Sequence, residues 1–272
     1  MSQDEGIAPG SVWLVGAGPG DPELLTRKAE RLILAADIVF HDALVGPGVL
    51  ALIPADTERV SVGKRSGRHS RDQATINALI VAAALAGRRV VRLKGGDPSV
   101  FGRSTEEIEA LAAAGVAVHV CPGVTAASAA AASGIASLTL RGRARRLTLL
   151  TAHARAGEAL DLDWPALAAT DATLAFYMGR AAAGAIASGL IAAGRSPDTP
   201  VMIAVNVSLP NERLIRGRLS ALAFLVRAIS DDDPTVLLIG EAVLPASTPV
   251  AEAAETGVST ARSYPFGRPS LR

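Results

Sequence analysis

The sequence is short of the residues that mark several protein classes. It has a single cysteine, Cys121, in 272 residues, so neither an intrachain disulfide nor a zinc site of clustered thiolates can form. Aromatics are only 3% of the chain, too few for modules that stack bases on exposed rings. Neither sign of charge dominates. The 27 Lys and Arg stand against 26 Asp and Glu, leaving a formal net charge of +1, which offers no bulk attraction to nucleic acid or a membrane surface. No stretch reaches the roughly 18 consecutive apolar residues of a membrane span. Met1 to Gly10 lacks the basic and apolar regions of a signal peptide. The expectation is a soluble, cytoplasmic protein with no nucleic-acid or membrane partner. Cys121, His69 and His153 match no metal-ligand spacing, so no metal is expected.

What is present is a core-forming composition, 49% hydrophobic with much of it alanine. Apolar β-rich runs alternate with helix-like segments. Ser11 to Val15, Ile38 to Phe40, Arg59 to Val62, Arg89 to Leu93 and Val116 to Val120 read as strands. One helix is predicted from Asp21 as N-cap and Pro22 at the first position, with Leu24, Leu25, Ala29, Leu32, Ile33 and Ala36 as its apolar face. Ser70-Arg71-Asp72-Gln73 and Ser104-Thr105-Glu106-Glu107 fit capping boxes that open two more, ending at Gly87 and Gly115. Strand, helix, strand with short links implies a mostly parallel sheet, in which ligands bind beyond the carboxyl ends of the strands. Every unusual loop falls at such an end: residues 16–22, 41–42, 63–65, 94–98 and 121–125.

The pattern changes near Ser137. Strands are predicted at 147–151, 172–177, 201–206, 213–216 and 235–239, with helices over 181–193 and 220–229. A hairpin turn at Leu209-Pro210-Asn211 makes this second sheet mixed. The expected organisation is an N-terminal α/β lobe at 11–136, a C-terminal lobe at 137–245 and a disordered tail at 246–272.

The glycine loops are not nucleotide fingerprints. After Gly16-Ala17-Gly18 the third glycine of a dinucleotide motif would fall at position 21, which is Asp21, and an acid at a helix start repels a pyrophosphate. Gly63-Lys64-Arg65-Ser66 lacks the earlier glycine of a P-loop, with Glu58 in its place. Asp42 ends an apolar strand, where a carboxylate serves either as an N-cap or at a ligand rim. Arg59 to Arg71 holds five Lys and Arg and no acid, and Arg141, Arg143, Arg145 and Arg146 form a second acid-free group. Such clusters are solvated faces or seats for a multiply anionic ligand.

Taken together the loops are far more specific. Val15-Gly-Ala-Gly-Pro-Gly-Asp-Pro22, Asp42 in Phe-His-Asp-Ala-Leu, Val62-Gly-Lys-Arg-Ser-Gly-Arg-His-Ser70, Val91-Arg-Leu-Lys-Gly-Gly-Asp-Pro98 with Phe101-Gly102-Arg103, and Pro122-Gly-Val-Thr-Ala126 stand in the order and spacing of the tetrapyrrole methylases. The chain resembles that family from about residue 11 to 244. Its Gly-Lys-Arg…Gly…His segment is similar to the branch that methylates uroporphyrinogen III.

The resemblance implies a two-lobed α/β fold with the active site in the cleft between lobes, usually a homodimer. It implies methyl transfer from S-adenosylmethionine to uroporphyrinogen III at C-2 and C-7, giving precorrin-2. The alternatives are another precorrin methylase or a non-catalytic binding homologue. The cofactor contacts implied are Pro19, Gly95, Gly96, Asp97, Val100, Thr125, Ala126, Met178 and Val207. Asp42 is implied as proton acceptor and Lys64 as proton donor. Arg65, His69, Arg103 and Arg141 are expected to meet substrate carboxylates. Three departures stand out: Ser104-Thr105 where Gly-Gly is usual, Leu140 for a usual histidine, and Val207 where the family's Asn-Gly-Thr places glycine. The extra dehydrogenase–chelatase module of bifunctional members is not expected in 272 residues.

Overall fold

The structure, a computed structural model, describes residues 6–63, 72–152 and 160–244. The expected tail lies outside the described residues, as do Lys64, Arg65, His69 and His153. The chain forms two compact units. The first takes residues up to Ser133 with Asn206–Glu212 and Ser230–Val236, and the second takes Gly134–Val205, Arg213–Ile229 and the chain from Leu237. The units are therefore discontinuous in sequence, unlike the single break expected near Ser137.

In the first unit, β1 (Val12–Gly16), β2 (Ile38–His41), β3 (Glu58–Ser61), β4 (Val90–Lys94) and β5 (Val118–Cys121) form one sheet in the order β3-β2-β4-β1-β5. Every pairing in it is parallel. Strand parity sorts the side chains. Trp13, Val15, Val39, Val91 and Leu93 share one buried cluster with Ala29, Leu32 and Ile33 of α1 (Arg27–Leu34). Val12, Leu14, Ile38, Phe40 and Val90 share the other with Ile76 and Ile80 of α3 (Gln73–Leu85) and Leu111 of α4 (Ser104–Ala113). The short α2 (Pro47–Ala51) starts on Gly46, and α5 (Ala126–Ser133) follows β5.

The helix predicted from Asp21 is broken. Asp21 caps only a 3₁₀ turn, Pro22–Leu24, by accepting from the Glu23 N–H at 2.9 Å. Leu25 and Thr26 are extended, and the Thr26 hydroxyl caps α1 by accepting from Ala29 N–H at 3.0 Å. Nor is Ser104 a capping-box residue. It lies inside α4, its hydroxyl donates to the Pro98 carbonyl, and the N-cap is Arg103 at φ 54°. Asp72, which accepts from Thr75 N–H at 2.7 Å, caps α3.

In the second unit, β6 (Arg146–Thr151), β7 (Ala172–Tyr177), β8 (Pro200–Val205) and β9 (Arg213–Arg218), with β10 (Thr235–Ile239), form a mixed sheet in the order β6-β7-β10-β8-β9. β6 and β7 are parallel, and β8 and β9 are the expected antiparallel hairpin. α6 (Trp164–Ala168), α7 (Ala183–Ala192) and α8 (Leu222–Leu225) complete it. The helix predicted over 220–229 is cut into a 3₁₀ turn, one α-turn and a second 3₁₀ turn. The Trp164 ring lies on Gly189, where an added Cβ would come within 2.6 Å of it. In the first unit Trp13 is stacked on His119 at 4.7 Å between ring centroids, with Lys28 Nζ 4.2 Å from its ring. Among the described residues no helix is long and apolar enough to cross a membrane.

At the amino end of the first sheet, Asp37 accepts from the Arg89 backbone N–H at 2.7 Å and from its guanidinium. These bonds, the side-chain one foremost, hold the Asp37 carboxyl below the ordinary carboxylate range. A lowered folded value means stability that is present above the unfolded value and lost as pH falls through the folded one. Asp37→Asn should therefore lower the urea midpoint at neutral pH and converge with wild type as the pH falls through the folded value, below the ordinary carboxylate range. Parallel midpoint curves over that fall in pH would remove Asp37 from the acid response.

Candidate active site

Because the first sheet is parallel, the loops after β1, β2, β4 and β5 leave from one edge. Backbone bonds stitch them together. Ala17 N–H donates to the Lys94 carbonyl at 2.7 Å, Gly96 N–H to the Gly18 carbonyl at 2.7 Å, and Gly18 N–H to the Gly96 carbonyl at 3.2 Å. Gly16 and Gly123 lie so close to this junction that a Cβ on Gly123 would sit 2.3 Å from the Gly96 oxygen. A Cβ on Gly16 would sit 2.6 Å from the Gly123 nitrogen. Gly96 itself, at φ 68°, faces open space. Asp97 ties two of the loops, accepting from Ser99 N–H at 2.7 Å and from Gly123 N–H at 3.0 Å. Thr125 accepts from Ser128 N–H at 3.2 Å and so caps α5, with Ala126 as its first residue.

Val207 belongs to this unit too. The residues on either side are left-handed, Asn206 at φ 52° and Ser208 at φ 61°, whereas Val207 has no positive φ. The turn thus places one of its two left-handed positions on asparagine, a type that tolerates it, and spares the β-branched valine. Asn206 donates to Asp233 at 2.9 Å, Glu212 accepts from Ser208 N–H at 2.5 Å, and the Ser208 hydroxyl accepts from Asp21 N–H at 3.0 Å.

Asp42 continues the parity of Ile38 and Phe40 and stands just beyond β2. It does not cap α2, whose N-cap is Gly46. Instead its carboxylate pairs with the Arg92 guanidinium. Arg92 Nε donates to Glu107 Oε1 at 2.9 Å, and Lys94 Nζ donates to Glu107 Oε2 at 2.7 Å. The side chains of Arg92, Lys94 and Glu107 are 3%, 3% and 1% exposed, against 28% for Asp42. Burial, then the neighbouring Arg92 charge, pushes the Lys94 ammonium below the ordinary lysine range, against the pull of Glu107. Sequence reading missed Arg92, Lys94 and Glu107. The signal was available: β4 is the central strand of a parallel sheet, where both faces are covered, so charges alternating with Val and Leu need buried partners.

The basic residues divide. Arg103 is exposed and forms a bidentate pair with Glu106, both bonds 2.7 Å. The second cluster is not acid-free in three dimensions, since Arg146 pairs with Asp171 and Arg143 lies 4.0 Å from Glu241. Arg141 is exposed, with no ion pair among the described residues, on a tight turn closed by paired bonds between Leu140 and Ala144. Met178, half exposed at φ 56°, and Arg141 belong to the second unit. Pro19 and Val100 are half-buried in the first, and Cys121 is buried. Among the described residues no group of His, Cys, Asp and Glu could hold a metal ion.

Comparison with known proteins gives a consistent picture. A profile of the Tetrapyrrole (Corrin/Porphyrin) Methylases matches residues 11–223. Siroheme synthase 1 of Yersinia enterocolitica is 47% identical over 234 residues, which are 86% of this chain and 49% of that protein. The chain spans about half the length of the curated relatives it matches. The structure of uroporphyrin-III C-methyl transferase from Thermus thermophilus, complexed with S-adenosylhomocysteine, is 40% identical with a TM-score of 0.73, covering 86% of this chain and 93% of that one. A cobalt precorrin-4 methyltransferase structure is 28% identical with a TM-score of 0.77, covering 87% and 97%.

Proposed function

The chain belongs to the tetrapyrrole methylase family, and from that premise we propose that it methylates uroporphyrinogen III at C-2 and C-7 with S-adenosylmethionine. The products are precorrin-2 and S-adenosylhomocysteine. One observation carries the reading: a part-exposed carboxylate, Asp42, is fixed by a buried arginine at the edge where the glycine loops gather. Sequence identity favours this substrate over that of the precorrin-4 methyltransferase, 40% against 28%. Substrate choice follows side chains more closely than backbone superposition.

The loop residues fit a nucleoside with a cationic sulfur and an amino-acid tail. Gly96 leaves open space above it, and Thr125 and Ala126 present small, part-exposed side chains at the N-terminus of an eight-residue helix. Such a terminus favours a carboxylate. When bound, S-adenosylmethionine supplies a methyl already activated as an electrophile. The chain then has to align a pyrrole carbon and exclude water. As the new carbon–carbon bond forms, the carbon–sulfur bond breaks. A proton then leaves the ring system, and this reading gives it to Asp42. Lys64 is assigned the proton-donor role on its sequence motif.

Four results would follow. Purified protein given S-adenosylmethionine and enzymatically made uroporphyrinogen III should yield a doubly methylated product by mass and absorbance. A product formed only from a later precorrin would move the chain to another branch. Asp97→Ala should raise the S-adenosylhomocysteine Kd about tenfold or more, because each lost bond to a charged group costs roughly 1.5–3 kcal/mol. Calorimetric affinity unchanged in the folded variant would remove Asp97 from that site. Arg141→Ala, which breaks no ion pair among the described residues, should raise the uroporphyrinogen KM roughly ten- to hundredfold. Arg103→Ala should raise it less, since Glu106 already occupies that guanidinium. A flat KM in Arg141→Ala would make it a surface charge.

A further inference from the structure

We propose that Glu107 is a positioning residue for Asp42, acting through Arg92. The inference rests on the catalytic reading of Asp42 above. Glu107 never touches Asp42. It reaches inward from α4, on the same helix face as Leu111, and is 1% exposed. Its two oxygens are divided between Arg92 Nε at 2.9 Å and Lys94 Nζ at 2.7 Å. Arg92 Nη1 donates to the Leu93 carbonyl at 3.1 Å, and Nη2 meets Asp42 Oδ1. A guanidinium is planar, with its donors in a fixed fork. Once Nε and Nη1 are anchored, the direction of Nη2 is set. Asp42 is thereby held at the rim by one oxygen.

The energetics argue for a directional role. Three ions nearly removed from water are costly, and replacing such a set by apolar side chains of similar volume is often neutral or stabilising. The strand already supplies such residues, Val90, Val91 and Leu93. Charge balances across the set: Arg92 and Lys94 against Glu107 and Asp42. Lys94 occupies the second oxygen of Glu107, which keeps the first turned to Arg92. Gln73 Nε2, donating to Glu107 Oε1 at 3.5 Å, adds a weak third contact.

Two double variants of the full chain separate positioning from bulk stability, because both remove one charge of each sign. Lys94→Met with Glu107→Gln keeps an acceptor for Arg92 Nε, and Lys94→Met with Glu107→Leu does not. The leucine pair should show kcat about ten- to thirtyfold below the glutamine pair, as expected for a displaced reacting group. The KM for uroporphyrinogen III and the S-adenosylhomocysteine Kd should stay within about threefold. Equal kcat in the two pairs would overturn the proposal. If the leucine pair does not fold, Arg92→Lys keeps the charge and loses the fork, and an unchanged kcat there has the same force. Wild-type protein inert toward uroporphyrinogen III would sink the functional reading instead. The anchor is then judged by urea unfolding. Asp42→Asn should change the unfolding equilibrium constant by a factor that differs about fivefold between wild type and the leucine pair. Equal factors would overturn it.

Discussion

Asp42→Asn is expected to lower kcat at least about a hundredfold, the lower end of what a positioned general base contributes, while S-adenosylhomocysteine binding stays nearly intact. The substitution keeps shape and keeps an oxygen for Arg92 to bond, so the rim should not collapse. It removes the proton acceptor and the charge. Arg92 and Lys94 then face Glu107 alone, and the buried set carries one uncompensated positive charge. A fall in stability of about 1–3 kcal/mol should accompany the kinetic loss. The two effects separate experimentally, because single-turnover rates at a temperature well below unfolding report only the chemical step. Lys64→Met should lower kcat similarly, with a higher KM if its charge also meets a substrate carboxylate. Single-turnover rates within about threefold of wild type, a barrier change under roughly 0.7 kcal/mol, would reduce Asp42 to an ion-pair partner and Lys64 to a surface charge.

Gly123→Ala should be among the most damaging small substitutions on the first unit. The new methyl would sit 2.3 Å from the Gly96 oxygen, 2.9 Å from Gly16 Cα and 3.1 Å from Gly16 C. All three are backbone atoms that cannot swing aside. The loops after β1, β4 and β5 would have to part, and with them the Gly18–Gly96 bonds and the Asp97 bond to Gly123. Overpacking usually costs 1–3 kcal/mol where side chains can yield, so about 3 kcal/mol or more is expected here, with S-adenosylhomocysteine binding abolished. Gly115→Ala is the control. Unlike Gly123 it has a positive φ, 70°, and nothing lies within 4 Å of its added methyl. It should cost about 1–2 kcal/mol for the left-handed conformation and leave binding unchanged. Equal thermal shifts in the two variants would mean that the loop junction is not tightly closed.

The strands were legible because their signals are local. β7 and β10 match the sequence reading residue for residue, and the other strands shift by only one or two positions at an end. Helix ends were harder, since several residues compete to cap. Asp21 and Thr26 each cap a short element, and the extended Leu25 and Thr26 break what periodicity alone joins. α5 escaped because Ala126 to Ser133 is all alanine and serine, with no apolar stripe to read. The glycine loops and Asp42 were visible as motifs at strand ends. Their support was not. Glu107 was absorbed into a capping box that the chain does not use, and its partners are 15 and 13 residues away. Nothing local in a sequence announces which buried cation a helix carboxylate will meet.

The chain holds two tryptophans, and they fall one to each unit. Trp13 is 5% exposed between His119 and Lys28 in the first, and Trp164 lies against Gly189 in the second. Intrinsic fluorescence therefore carries two addresses. Trp164→Phe leaves emission from the first unit alone, and Trp13→Phe leaves that of the second. Urea titrations of the two single-tryptophan proteins, each compared with its own circular dichroism to account for the substitution, show whether the halves melt together or in sequence. The protein comes with an optical label on each unit, and its folding order can be followed without attaching a dye.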